Sequence, residues 1–145
     1  MKLLSIKQNN KGFTLLEILV VISIIGILIA IGASAFSTAQ KKSRDARRTG
    51  DMKAIQNAFE QYYAAHDSSY GTCADMSSEL VSGIMLKDPK PSAVYNCTVD
   101  ASSTKYCVCA TLDNPGTGNA NSTGSDGTCS YSSTNNNYFC VSSLQ

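Results

Sequence analysis

An α+β fold, with one long N-terminal helix and a small disulfide-stapled antiparallel β-sheet head, follows from three observations. Residues Phe13 to Phe36 form an apolar run that contains a single charge, Glu17. The following thirty residues change to apolar spacings of three and four, the helical period. All six cysteines come later, among short β-type segments separated by turn residues. A chain of 145 residues has room for one such domain and a short extra segment.

The first dozen residues carry Lys2, Lys7 and Lys11 and no acid. At 1.5 Å per residue the apolar run makes a helix of about 36 Å, enough to span hydrocarbon. Basic residues ahead of it favour a cytoplasmic N-terminus, so the expectation is a single-pass segment of the cytoplasmic membrane with the rest exported. An ordinary signal peptide is the competing reading, cut after Ala35 at Ala33-Ser34-Ala35 to release a disulfide-rich binding module. The run is too long for that, and a carboxylate at membrane depth costs about 3 kcal/mol on insertion scales. Gly26 and Gly32, inside the run, suit close approach of neighbouring helices, or a weak point that stretches or melts on assembly.

Beyond Phe36 the helix continues to about His66. Met52, Ile55, Phe59 and Tyr62 form an apolar stripe, with Lys42, Arg47, Asp51 and Lys53 opposite. Lys41, Lys42, Arg44, Arg47 and Arg48 make a basic cluster whose plain reading is a solvated face, or pairing with neighbours' acids once packed. Nucleic-acid contact is the sharper reading, but no aromatic residues interleave the cations.

The head is expected from residue 67 onward. MSSELVSGIML suggests a short helical turn and KDPKPSA a proline-punctuated loop. Strands are expected at 93–99, 105–112 and 137–144, the first two joined by DASS. DNPGTGNANSTGSDG, rich in Gly, Asn and Ser, is expected to be an exposed loop. Six cysteines (Cys73, Cys97, Cys107, Cys109, Cys129 and Cys140) beyond a membrane-type segment point to disulfides in an oxidising space. CVC invites a zinc reading, yet there is no CxxC pair and the single histidine, His66, is remote. Alternation places Cys107 and Cys109 outward and Cys97 inward. Cys97 then suits Cys73, while Cys129 and Cys140 take Cys107 and Cys109 in either order.

Asn119, Asn121, Thr123 and Asp126 loosely resemble a calcium loop, but the acid closing such a loop is replaced by Ser130. No cofactor is therefore expected. Asn96-Cys97-Thr98 and Asn121-Ser122-Thr123 are sequons that occur often by chance. His66 has no glycine-rich elbow or nucleophile nearby, so the chain is not expected to be an enzyme.

The stretch KGFTLLE resembles the processing site of type IV pilins and pseudopilins. The resemblance implies cleavage by a prepilin peptidase after Gly12 and N-methylation of Phe13. It also implies an assembly role for Glu17, whose counterpart neutralises the terminal amine of a neighbouring subunit. The expected organisation is a leader at 1–12, a membrane and polymerisation helix at 13–36, an amphipathic stem at 37–66 and a β head at 67–145. Implied partners are other pilin subunits, the peptidase, a platform membrane protein and an assembly ATPase, with a surface filament as the assembled state. Many members of the family carry a proline where this chain has Ser34, which implies a helix that bends or melts less. ARRTGDMKAIQNAFEQYY, KDP, YCVCATLDNP and YFCVSSLQ resemble secretion pseudopilins, although six cysteines depart from their usual pattern. A type II secretion pseudopilin or a minor pilin is the alternative within the family.

Overall fold

The computed structural model describes residues 12–145. Lys2, Lys7 and Lys11, on which the expected membrane orientation rests, lie outside the described residues. The chain divides into two compact units with their boundary between Thr38 and Ala39, and one helix, α1 (Leu15–Ala65), contributes to both. The amphipathic stretch from residue 39 onward lies in the same compact unit as the head.

In the first unit α1 is unbroken through Gly26 and Gly32. It is the one helix among the described residues that is long and apolar enough to cross a membrane, with a mean hydropathy of 2.9 over an 18-residue stretch. Apolar side chains are exposed around its whole circumference, from Leu15 at 83% through Leu28 at 64% to Phe36 at 65%.

In the second unit α1 ends where Asp67 and Ser68 take positive φ, and the Ser68 amide donates to the Tyr63 carbonyl. This is a left-handed helix stop made without glycine. A short helix, α2 (Cys73–Met76), follows, with a capping box between Thr72 and Asp75, and runs into a 3-10 turn at Ser77–Glu79. Five strands complete the unit: β1 (Asn96–Val99), β2 (Tyr106–Thr111), β3 (Ala120–Ser125), β4 (Thr128–Tyr131) and β5 (Tyr138–Ser142). They form one antiparallel sheet in the order β1-β2-β5-β3-β4.

Two of these strands correct the expectation of an exposed loop. β3 and β4 lie within and after DNPGTGNANSTGSDG, joined by Asp126-Gly127, both with positive φ between the paired Ser125 and Thr128. That is the two-residue hairpin turn whose twist matches flanking strands. A Cβ on Gly127 would lie 2.5 Å from the Lys105 carbonyl oxygen, so this position requires glycine. Asn119 docks the hairpin onto the sheet by mimicking a strand neighbour: its amide donates to the Cys140 carbonyl (2.8 Å) and its oxygen accepts from the Cys140 amide (2.7 Å). Polar composition hid the hairpin because only two of its ten strand residues are buried.

The core lies between the helix stripe and one face of the sheet. Met52, Ile55, Ala58 and Phe59 cluster with Tyr106, Val108, Ala110 and Val141. The Phe59 and Tyr106 rings meet edge to face at 5.0 Å. Burying each large side chain contributes about 1.5–3 kcal/mol. Glu60 binds this layer together, accepting from the Tyr70 and Tyr106 hydroxyls (both 3.0 Å) and the Leu144 amide (3.1 Å). Burial, then the Glu60 carboxylate, push both phenols above their ordinary pKa, so they remain donors. The opposite face of the sheet carries a separate cluster of Cys107, Cys109, Ala120, Cys129 and Cys140. The disulfides are Cys73–Cys97, Cys107–Cys129 and Cys109–Cys140.

The basic cluster divides: Lys41, Lys42 and Arg47 are exposed, whereas Arg44 and Arg48 turn to carboxylates of their own unit. Arg48, with a side chain 2% exposed, meets Asp45 (2.8 Å), Asp88 (2.7 Å) and Asp113 (3.3 Å). Arg44 pairs with Asp113 at 2.5 Å. Asp45 also accepts the backbone amides of Asp113 and Asn114 (2.8 and 3.0 Å). A cation at this depth is tolerable only because its charge and its donors are matched.

Arg48→Met should cost about 3–5 kcal/mol, because it strands carboxylates that the guanidinium neutralises. Urea unfolding of the detergent-solubilised chain measures this, and a loss within the surface-pair range of about 0–1 kcal/mol would contradict the brace. Burial pushes the Asp88 and Asp113 carboxyls up, but their arginine partners outweigh it and hold both below the ordinary range. The unfolded chain therefore takes up those protons first. Their stabilisation is present above about pH 4 and lost as pH falls below it through the folded values. The acid limb should be shallower in Arg48→Met than in the parent. Accessibility sets a further expectation, since Cys73 and Cys97 are half-buried and the other four cysteines are buried. Graded reduction with alkylation should label Cys73 and Cys97 first, and earlier labelling of Cys107 or Cys109 would contradict that order.

Candidate assembly site at the helix N-terminus

Gly12, Phe13 and Thr14 precede α1 and are not helical. Thr14 stops the helix from extending to Phe13, because its side chain serves as the N-cap. The Thr14 hydroxyl accepts from the Glu17 amide (3.2 Å), and the Thr14 amide donates to the Glu17 carboxylate (2.9 Å). The hydroxyl also lies 3.0 Å from the same carboxylate oxygen. This reciprocal pair is a capping box, which satisfies donors that a helix start leaves without partners. A carboxylate in the first turn is further favoured by the helix dipole.

This arrangement gives Glu17 a partner within its own chain. Phe13 and Glu17 stand four apart, as would suit two side chains on one helical face. Phe13 lies outside the helix, however, so Glu17 turns to Thr14 instead. Thr14 was absent from the residues singled out in the sequence, although Thr-x-x-Glu ahead of an apolar run is the signature of this cap. Around the carboxylate, Phe13, Leu16, Ile18, Val20 and Val21 line one shallow apolar groove. Phe13 is 83% exposed and Leu16 70%.

The remaining candidates scatter. Lys41 and Lys42 are exposed, while Arg44 and Arg48 serve the internal brace and Arg47 approaches Asp51 at 3.9 Å. His66 stacks on Tyr62 with ring centroids 3.8 Å apart, and its Nδ1 lies 2.9 Å from the Tyr62 carbonyl, which makes that nitrogen the donor. Of the calcium-loop residues, Asn119 is committed to the Cys140 backbone and Asn121 and Thr123 lie in β3. Asn96 and Asn121, the sequon asparagines, are exposed.

Comparison with known proteins agrees with this geometry. Residues 7–33 match the family model described as the prokaryotic N-terminal methylation motif. The chain is similar to the type IV wide pilus major component PilA4 of Thermus thermophilus, 34% identical over 71% of this chain and 74% of that protein. It is similar to the type II secretion system core protein G of Escherichia coli, 38% identical over 61% of this chain and 59% of that protein. The type IV major pilin protein PilA of Myxococcus xanthus is 33% identical over 46% of this chain, which spans 30% of its length. No solved structure matches. An apolar helix opened by a Thr14–Glu17 cap, the methylation motif across it and a pilin relative matched over most of both lengths lead to one conclusion: the chain belongs to the type IV pilin and pseudopilin family.

Proposed function

We propose that this chain is the structural subunit of a type IV pilus-like filament, cut by a prepilin peptidase between Gly12 and Phe13 and polymerised through α1. The observation that carries this reading is the exposed apolar circumference of the first helical unit around a single carboxylate. Such a surface needs lipid, or copies of itself, to leave water. Before assembly the segment is held in the cytoplasmic membrane, and in the assembled state it forms the core of a surface filament. The partners are further subunits, the peptidase, a platform membrane protein and an assembly ATPase. The chain itself performs no catalysis in this scheme.

Processing sets the chemistry of Glu17. Cleavage after Gly12 turns the Phe13 amide nitrogen into an ammonium group. Within an apolar bundle that amine and the carboxylate of a neighbour would each be costly alone, by several kcal/mol. Paired, they register one subunit against the next. The capping box gives the carboxylate a use before that partner arrives. Head-to-tail repetition of one contact then yields an open helical polymer. A secretion pseudopilus is the second reading, supported by the similarity to the type II secretion core protein.

Intact mass and N-terminal sequencing of the mature protein should show N-methylated Phe13, and a mature start at Phe36 would exclude this proposal. Glu17→Ala should leave processing and membrane insertion intact but abolish most filament yield. Filaments of parental length and number from that variant would remove the registration role. Thr14→Ala removes only the cap, worth about 1 kcal/mol. It should therefore reduce filament yield far less than Glu17→Ala, and equal losses would show that the cap, not the charge, is what assembly needs.

A further inference from the structure

Two of the three disulfides are not independent. Cys107 and Cys109 stand two apart on one face of β2, with their sulfurs 3.5 Å apart. Cys129 on β4 and Cys140 on β5 complete the group, and all four sulfurs lie within 4.8 Å of one another. Either alternative pairing of these four atoms therefore needs only small side-chain movements. Three of the four are closed to solvent: Cys107 is 0% exposed, Cys109 1% and Cys140 1%. Cys129, at 9%, is the most accessible of them. It also lines a surface cavity of about 190 Å³ with Lys105, Gly127, Tyr131, Ser142 and Ser143. A lysine on such a rim favours the anionic form of an incoming thiol.

We propose that Cys107, Cys109, Cys129 and Cys140 form one thiol–disulfide exchange relay, which a small thiol enters at Cys129. In the first step a thiolate attacks Cys129 Sγ, forms a mixed disulfide there and releases the Cys107 thiolate. In the second, Cys107 attacks Cys109 Sγ, its neighbour at 3.5 Å, forming Cys107–Cys109 and releasing the Cys140 thiolate. In the third, Cys140 attacks the mixed disulfide at Cys129, forming Cys129–Cys140 and expelling the small thiol. Three bonds break and three form, and the thiol is regenerated, so no net oxidant or reductant is consumed. Freed sulfurs have somewhere to stay: the Thr123 carbonyl oxygen lies 3.6 Å from Cys107 Sγ and 3.4 Å from Cys109 Sγ, within reach of a thiol donor. The relay moves the staples from β2–β4 and β2–β5 to within β2 and between β4 and β5. It also makes the buried Cys109–Cys140 bond answerable to thiols that cannot touch it. Cys73–Cys97, on α2 and β1, lies in neither the cluster nor the relay.

The test uses the full chain in detergent with reduced glutathione below stoichiometric amounts, followed by acid quench and non-reducing peptide mapping. Cleavage after Tyr106 and Leu112 isolates both β2 cysteines on one peptide. The relay predicts that this peptide appears with an internal disulfide and without attached partners, alongside a cross-link of Cys129 to Cys140. A second measurement follows alkylation of Cys140, the thiol that the second step frees, in the parent and in the double variant Cys107→Ser/Cys129→Ser. Without the intramolecular route, Cys109–Cys140 should open about tenfold more slowly than in the parent, whereas a merely weakened head would open it faster. Either signature supports the relay. If the β2 peptide stays cross-linked only to Cys129 and Cys140, and the double variant opens at the parental rate or faster, the two bonds are independent and the proposal is overturned.

Discussion

The head is organised around a buried positive charge. Arg48 projects from α1 and must be neutralised where it lies, and the carboxylates that do so come from three places: its own helix, the proline-punctuated loop and the segment after β2. The loop and the segment after β2 are otherwise irregular and short of apolar residues. The guanidinium fixes them in a way that hydrophobic contact could not, because its planar donors accept only certain oxygen positions. Asp88 meets Nε and one terminal nitrogen together, at 2.7 and 2.9 Å. Asp45 in turn holds two backbone amides of the segment that leaves β2. Loop placement thus owes much to electrostatics, while the apolar stripe of the helix packs on the sheet and on Tyr70, Met76 and Leu80.

A second carboxylate performs the same service at the other end of the stripe. Glu60 collects two tyrosines and the backbone near the C-terminus. Between these two anchors the stripe of Met52, Ile55 and Phe59 faces a sheet of only five short strands. A head of this size has limited apolar area to bury, which is why its outer face is stapled by sulfur instead. Two of those staples are crowded together because β2 supplies cysteines two residues apart, and the sheet order brings β5 alongside β2 and the β3–β4 hairpin over both.

The N-terminal unit follows a different rule. Its described residues offer no apolar counterpart, and the one charge among them, Glu17, carries the polar information there. That charge is first occupied by Thr14, through a cap available in a single chain. Its proposed second partner exists only after a peptide bond is cut. A low-cost local partner keeps the carboxylate satisfied and oriented at the start of the helix, and the ion pair with a neighbour is the stronger interaction in an apolar setting.

Local patterns carried much of this. The long helix, its stop near His66, the strands at β1, β2 and β5, and the separation of Tyr106, Val108 and Ala110 from Cys107 and Cys109 are all properties of spacing, because side-chain direction follows the period of the backbone. KGFTLLE is equally local, and so is the Thr14 cap, which could have been read from Thr-x-x-Glu. The β3–β4 hairpin left only one local trace, Asp126-Gly127, since strands that face water do not alternate. Other features were decided by tertiary structure alone. Arg48 and Asp45 are three apart and their pairing is written in the helix, but Asp88 and Asp113 lie 40 and 65 residues away, and nothing local marks them as its partners. The order of the Cys107 and Cys109 partners stayed open for the same reason. Alternation sets which face a cysteine occupies, whereas the sulfur it meets is set by which strands the fold places side by side.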